Sequence, residues 1–543
     1  MKTKTSLLLV VVFYFLLNFL PSFHRDLWEP DEPRFVLVAK EMVESGNFIM
    51  PHRNKKPYPD KPPLYFWTIV AASKITGGFN TPAGILPVAT AGALSILLVF
   101  FIAIKLGFNE ETAFAASIIF AASPKVWWQS SHAQIDMVLA FLVYLSVYLA
   151  LLYLEKNREL FLSLSFFVMG LATLAKGPVG LIIPLGSIIV YLLWTKKWGN
   201  TKVFTFKSIL SYLLPVGLWL ALLIAQSLSG GNTAYLENIL FKQTVVRFAK
   251  SWHHFQPVYY YLKVIVYDFF PWSIFLYYFL WHLWKNRKEY KLSDREKFLL
   301  SWFLFTVAFF SLPSGKRGLY ILPMYPAMSI LVADFILKFK DKKTVKILGI
   351  SSALILFAAF LGLSFYGYKS KIPLTLCESV LFNMTAILFI LLFLIYRKNK
   401  FFKNYLQIVI LIAFTFFLLA SKTAGGIFPY LNKRNSMRYF VKEYEKYLNE
   451  NSKVAICQYR SAHVLYGNRN LIEFPYQDEE DNIDKFVKFL RETPNSYGIV
   501  SKLWCKRLIN MGIPVKVLAE RKVGHKDLCF IKIEEQEKDN GGN

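Results

Sequence analysis

The chain has 543 residues, 55% of them hydrophobic and 17% aromatic, with a formal net charge of +27 and a mean hydropathy of +0.37. That is far too apolar for a soluble protein of this length, so the sequence describes an integral membrane protein. The basic residues lie mostly in short loops between apolar runs, which is the pattern of membrane topology and excludes a nucleic-acid-binding face.

The first apolar run, Leu7 to Leu20, follows Lys2 and Lys4 as in a signal peptide. No small-residue cleavage site comes after it, so it reads as a retained helix. Directly behind it stands WEPDEPRF, Trp28 to Phe35, which packs Glu29, Asp31, Glu32 and Arg34 between two prolines at a membrane exit. Charge at that place is either solvated or put to use. A solvated turn running into a helix N-terminus accounts for it equally well, with Pro30 setting the entry and the acids facing the helix dipole. The balance shifts with the next loop, where Asp60 and Lys61 return charge to the following apolar segment.

A spanning helix needs roughly 20 apolar residues, and by that measure about thirteen spans precede residue 424. Their centres lie near residues 13, 93, 117, 143, 167, 185, 217, 271, 304, 328, 355, 386 and 412. With the N-terminus inside, the inner loops include TKKWGNTK near Lys197, KNRKEYKLSDREK from Lys285, KFKDKKTVK from Lys338 and RKNKFFK from Arg397, all strongly basic. The outer turns around Lys125, Lys176, Lys316 and Lys369 carry one or two basic residues each. The alternation calls for an odd number of spans and a C-terminus outside.

Two outer loops are long. One, from about residue 21 to 79, holds WEPDEPRF, the amphipathic stretch FVLVAKEMVESG and the aromatic KPYPDKPPLYFW segment, both suited to a juxtamembrane position. The other, from about residue 227 to 257, carries Arg247, His253 and His254 on a helical pattern. Shorter turns contribute HAQIDM with Asp136, and PSGKRGLY with Lys316 and Arg317.

After residue 424 the composition changes. KVAICQY, NLIEF, SYGIVSK, PVKVLAE and DLCFIKIE read as short strands, with DEEDNIDKFVKFLRE and KLWCKRLINMG as helices between them. The expected fold is therefore mostly α: a polytopic membrane domain over residues 1–424 with juxtamembrane helices, and a small soluble α/β domain over residues 425–543. The four cysteines, Cys377, Cys457, Cys505 and Cys529, show neither a C-x-x-C pair nor zinc spacing, and a disulfide among the last three stays open. There is no phosphate-binding Gly-rich loop, which argues against an ATP-driven pump.

The outer face thus gathers acids fit for catalysis beside bases fit for phosphate, which is what a lipid-phosphate sugar donor requires. Charge grows on that phosphate as the glycosidic bond breaks, so preplaced Lys and Arg act selectively in the transition state. Each residue also has a plainer role open to it. Asp136 could cap the fourth span, Lys316 and Arg317 could be snorkelling at the interface, and Arg247 could pair with Glu237. His253 and His254 could be a wet hydrogen-bonded pair, since neighbours on a helix diverge by about 100 degrees.

WEPDEPRF, the DKPPL segment, the Q-x-D-M turn at Gln134 to Met137, WHHFQPVYYY and SGKRGLYILPMYP together resemble the bacterial lipid A aminoarabinose transferases. These stand with the protein O-mannosyltransferases among the polytopic GT-C glycosyltransferases. The resemblance covers nearly all the membrane part; the C-terminal domain matches only in position and class. It implies that Asp31 is the main catalytic carboxylate and Asp136 its helper, that Lys61 holds the donor phosphate, and that Arg34 orients Asp31 or meets an acceptor phosphate. Arg247, Lys316 and Arg317 are implied for the same anionic groups.

The family pattern has a glutamate where Asp60 stands, and with histidines like His253 and His254 it forms a zinc site. Aspartate is a competent but shorter ligand, which puts that metal in doubt. The chemistry itself needs no metal, because Lys and Arg can neutralise a monophosphate leaving group.

The expected reaction is transfer of one sugar, such as aminoarabinose, galacturonic acid or another hexose, from an undecaprenyl phosphate donor to lipid A, with inversion. The expected partners are donor, acceptor and membrane lipids, with no nucleic acid. A monomer is expected in the bacterial inner membrane, its site and C-terminal domain on the periplasmic side. The alternatives are protein O-mannosylation, and a transporter of lipid-linked sugar without chemistry. Transporters usually show related halves or broken helices around a midplane site, whereas here the charges gather in outer loops.

Overall fold

The computed structural model describes residues 2–229, 233–240, 255–339, 342–396, 406–457, 465–467, 471–474 and 479–534. Among these, eight helices are long and apolar enough to cross a membrane, from Thr3–Phe23 to Leu406–Tyr447, and Val179–Trp194 and Leu376–Leu392 are shorter apolar helices. The protein is a multi-pass membrane protein of mostly α architecture with a small C-terminal sheet.

Every expected span centre falls inside a described helix except the one near residue 271, which lands between Tyr260–Asp268 and Trp272–Lys285. Pro271 accounts for the break: it has no N–H to donate to the helix ladder and it biases Phe270 away from helical dihedrals. Hydropathy alone ran the two short helices together.

Helix Thr81–Lys105 is a central post, buried along most of its length. Gly92 permits the closest approach on it, since a Cβ there would collide with Ser130 Oγ. The short helix Pro124–Ser131 is thereby pressed against the post, and Tyr14 closes the contact by donating to Ser130 Oγ at 3.1 Å.

Loops of opposite character separate to opposite ends. At one end Lys105 meets Glu155 at 2.7 Å, Lys197 meets Asp294 at 2.6 Å, and Arg295 donates to the Gly107 carbonyl at 3.0 Å. Such exposed pairs contribute little stability, but they show that the basic loops share one face. The loops of WEPDEPRF, HAQIDM and PSGKRGLY meet at the other, through bonds given below.

The last spanning helix, Leu406–Lys422, runs through a π-turn at Thr423–Ile427 into Phe428–Asn435, and so carries the chain across residue 424 without a gap. Beyond it five strands form a mixed sheet. They are β3 (Lys453–Cys457), β4 (Leu471–Phe474), β5 (Ser496–Ser501), β6 (Val515–Val523) and β7 (Lys526–Ile533), in the order β4-β3-β5-β7-β6. β3 is parallel to β4 and β5, while β7 is antiparallel to β5 and β6. Helices Glu479–Glu492 and Lys502–Asn510 cover one face and Arg438–Tyr444 the other, so both faces of the central strands are apolar. All four cysteines are free and buried.

A two-stranded hairpin, β1 (His52–Arg53) with β2 (Lys56–Pro57), extends from the first outer loop. Its Arg53 lies 3.7 Å from Glu473 on β4, and Lys56 donates to the Glu473 carbonyl at 3.3 Å. The sheet domain therefore rests on the loop that holds WEPDEPRF.

Candidate active site

The two adjacent acids of WEPDEPRF part company in the structure. Helix Glu32–Ser45 begins at the second of them, and the Glu32 side chain turns inward, where it is 2% exposed. Its oxygens accept from both Arg25 guanidinium nitrogens at 2.8 and 2.5 Å, from the Trp28 backbone N–H at 2.7 Å and from the Ala133 backbone N–H at 2.8 Å. Burial works against the carboxylate, but Arg25 beside it holds it below its ordinary value. With four donors filling it, Glu32 braces the first outer loop against the 132–136 turn and has no capacity left for a substrate.

Asp31 faces the other way. Its carboxylate accepts from Arg34 at 2.5 Å, from Gln134 at 3.3 Å and from Arg317 at 3.4 Å, so three outer segments converge on one group. Burial pushes Asp31 up, and the opposing charges of Arg34, Arg317 and Lys176 more than offset it, leaving the carboxyl below its usual range. It is ionised at neutral pH.

Asp136 is the first residue of helix Asp136–Lys156 and is buried, yet no capping bond from its side chain is formed. It accepts instead from the ammonium of Lys176, which ends helix Glu159–Lys176 and lies 4.9 Å from the centroid of the Tyr320 ring. Lys176 also contributes to the field at Asp31, so the Asp136–Lys176 pair stands beside the principal carboxylate.

Lys316 and Arg317 split their work. The Lys316 ammonium donates to the carbonyls of Pro313 and Gln256 at 2.5 and 3.0 Å, which fixes the turn, while Arg317 reaches Asp31. Both line a polar cavity of about 350 Å³ together with Lys125, Gln134, Gln256 and Tyr260. That cavity opens beside the Asp31 carboxylate, because Gln134 and Arg317 belong to both.

On the other flank of Asp31 lies the loop of Tyr58, Asp60 and Lys61. Burial pulls the Arg34 guanidinium down, but Tyr58, Asp31, Asp60 and Glu29 around it carry the net direction upward. The Tyr58 hydroxyl, buried among Arg34, Asp60 and Arg53, is pushed up to about 12. Lys61 follows in the same loop, half-buried just ahead of helix Leu64–Thr76.

Arg247, His253 and His254 lie outside the described residues. Among the described residues no group of three or more His, Cys, Asp or Glu side chains comes together as a metal site. Asp60 is next to a guanidinium, which competes with a cation for its oxygens.

His132, which no motif singled out, is stacked on Trp128 with ring centroids 3.8 Å apart and has its edge to Trp28 and Phe428. Burial, with Arg25 nearby, pulls it down to about 3, so it is a neutral part of the wall. Lys176 and Gln134 were legible only as a loop cation and a motif letter; the structure makes both partners of the acids.

Residues 4–228 match the family model described as dolichyl-phosphate-mannose-protein mannosyltransferase. An undecaprenyl phosphate-alpha-4-amino-4-deoxy-L-arabinose arabinosyl transferase of Erwinia tasmaniensis is 27% identical over 338 residues, 61% of this chain and 60% of its own length. The chain thus aligns with less than two thirds of that relative. The homonymous enzyme of Wigglesworthia glossinidia brevipalpis is 27% identical over 435 residues, 76% of this chain and 75% of its own. The crystal structure of ArnT from Cupriavidus metallidurans bound to undecaprenyl phosphate superposes with a TM-score of 0.75 at 19% identity, covering 96% of this chain and 97% of that one. That last likeness is one of fold.

Proposed function

We propose that this chain, which is similar to the bacterial undecaprenyl phosphate-aminoarabinose arabinosyl transferases, moves one sugar from a polyprenyl phosphate donor to lipid A, with inversion at the anomeric carbon. In this reading it lies in the inner membrane with the site and the sheet domain on the periplasmic side, and the shared face of basic loops supports that orientation.

The observation that carries the reading is the ionised Asp31 held between Arg34 and Arg317. The carboxylate keeps the two guanidinium groups on opposite sides of the reacting carbon. Arg34 and Lys61 take the donor phosphate, where charge accumulates as the bond from anomeric carbon to phosphate oxygen breaks. An oxygen of the acceptor phosphate forms the new bond from the side of Arg317, with Lys316 adding positive field; Arg247 stays a candidate for the same anionic groups. The electron pair of the broken bond leaves on polyprenyl phosphate, and no proton moves.

A carboxylate below its usual range is a weak base. It would serve a hydroxyl acceptor poorly, whereas a lipid A phosphate, with a second pKa of about 6, is already largely ionised near neutrality. Asp136, through Lys176, tunes the field at Asp31. The reaction calls for no metal. A zinc ion would draw on Asp60 with His253 and His254 to fix the loops, and no step runs through it.

Mass spectrometry of lipid A from cells with and without the protein tests the proposal. A mass increment of one sugar that disappears with the protein is expected; sugar found on periplasmic protein with lipid A unchanged would establish the mannosyltransferase reading that the family model keeps second.

A further inference from the structure

Helix Pro124–Ser131 places Lys125 between two cavities. One is the polar cavity of about 350 Å³ beside Asp31, which Lys125 and Trp128 line. The other, of about 450 Å³, is walled mainly by apolar side chains such as Trp127, Ile355, Leu356, Phe416 and Leu419, and Lys125 and Trp128 line it too. The lysine therefore stands where an apolar chamber meets a cationic one.

Its partner is Asp268, whose Oδ2 is 2.9 Å from the Lys125 ammonium, the two side chains being 12% and 18% exposed. Gly318 makes the space, since a Cβ there would fall 2.9 Å from that same oxygen and 3.7 Å from the ammonium. Gly318 follows Arg317 directly, so the pair packs against the turn that carries the guanidinium on Asp31, and Lys125 and Arg317 line the same polar cavity. Helix Lys343–Lys369, which supplies Ile355 and Leu356, is apolar yet mostly unburied by the rest of the protein, so it is a lipid-facing wall.

A chamber of this size falls within the range of ligand pockets, and its shape of chemistry, apolar body and cationic neck, matches a phosphate-bearing lipid. Two such lipids meet in the proposed reaction. Direct displacement with inversion puts the attacking oxygen and the leaving oxygen on opposite sides of the anomeric carbon. The donor phosphate is taken by the Arg34 and Lys61 flank, so the chamber on the Arg317 flank belongs to the other lipid.

On the transferase reading above, we propose that Lys125 is the anion-binding residue for the acceptor's phosphate, with one of the acceptor's acyl chains in the apolar chamber. Asp268 holds the ammonium in place while the site is empty and competes with the phosphate for it. Lys125 would thereby select an acylated phosphate over an uncharged lipid.

The test uses purified full-length protein in detergent, with bisphosphorylated lipid A, dephosphorylated lipid A and undecaprenyl phosphate as separate binding probes, followed by turnover. Lys125→Gln is expected to weaken lipid A binding and raise its KM about tenfold, with undecaprenyl phosphate binding within twofold of wild type. Wild type should hold dephosphorylated lipid A no better than the variant holds the intact form. Asp268→Asn, which removes the competitor, should tighten lipid A severalfold and gives a second reading should Lys125→Gln not fold.

Equal or larger loss for undecaprenyl phosphate would give the chamber to the donor and overturn the proposal. So would unchanged binding of both, which would leave Lys125 and Asp268 as a structural pair. Wild type that binds lipid A through Lys125 but transfers no sugar would sink the transferase reading and leave the site standing; transfer to lipid A that ignores Lys125 would do the reverse.

Discussion

The indole N–H of Trp28 donates to Asn432 Oδ1 at 3.0 Å, although the two residues are 404 positions apart. The same oxygen accepts the Asp26 backbone N–H at 3.0 Å, and the Asn432 amide donates to the His24 carbonyl at 3.4 Å. Tyr466 adds a bond to the Leu27 carbonyl at 3.1 Å. The segment leading to Asp31 is therefore held from behind by residues that follow the last span.

Asn432→Leu should test that support. It leaves the Trp28 and Asp26 donors unsatisfied in a buried place, which costs about 1–3 kcal/mol. A lowered unfolding temperature together with faster proteolysis between residues 24 and 31 is expected. Unchanged stability would show that the bonds are dispensable.

Asp31→Asn keeps the size of the side chain and removes the charge between Arg34 and Arg317. Transfer should fall by about a hundredfold or more, while the unfolding temperature and donor binding stay close to wild type. Turnover within twofold of wild type would remove Asp31 from the chemistry.

The pH profile carries its own sign. Asp31 sits below the ordinary carboxylate value of about 3.9, so its stabilising charge is fully present above that value and is lost only as pH falls through the depressed native one. Transfer should stay flat from neutrality down to mildly acid pH as far as this group governs it. Arg317→Ala removes one of the groups that lower it and should move the acid limb upward; a limb that does not move would mean that the guanidinium does not act on Asp31.

Lys176→Met leaves Asp136 buried without its cation. Loss of one partner of a buried pair is strongly destabilising, by about 3–5 kcal/mol, and the double variant Lys176→Met with Asp136→Leu should recover much of that stability without recovering transfer. Recovery of both would reduce the pair to a structural one.

Lys61→Ala should raise the KM for the polyprenyl phosphate donor about tenfold and lower kcat with it, since the phosphate binds more tightly as its charge grows. Normal donor kinetics would take Lys61 out of the site.

Much of this site could be read from residues alone, for one physical reason: charge at the exit of an apolar helix has to be solvated or used. That singled out Asp31, Arg34 and Arg317, which the fold brings together, and Asp136, whose partner Lys176 adds to the field at Asp31. The five strands of the C-terminal sheet were equally legible from short β-branched runs between turns. Lys125 and Lys176 were not, because a lone lysine at a helix end looks the same whether it snorkels or faces a carboxylate. The inward turn of Glu32 depends on Arg25 and Ala133, and no spacing rule distinguishes it from its neighbour Asp31.

The unbroken passage from Leu406 through the π-turn to Asn435 means that the final crossing and the prop behind Trp28 are one rod. A shift of that rod along its axis would be felt at the acidic loop directly, without any lever in between. Grafting a foreign extramembrane module onto this scaffold would succeed only where the splice falls after Asn435, leaving the rod and its tip native.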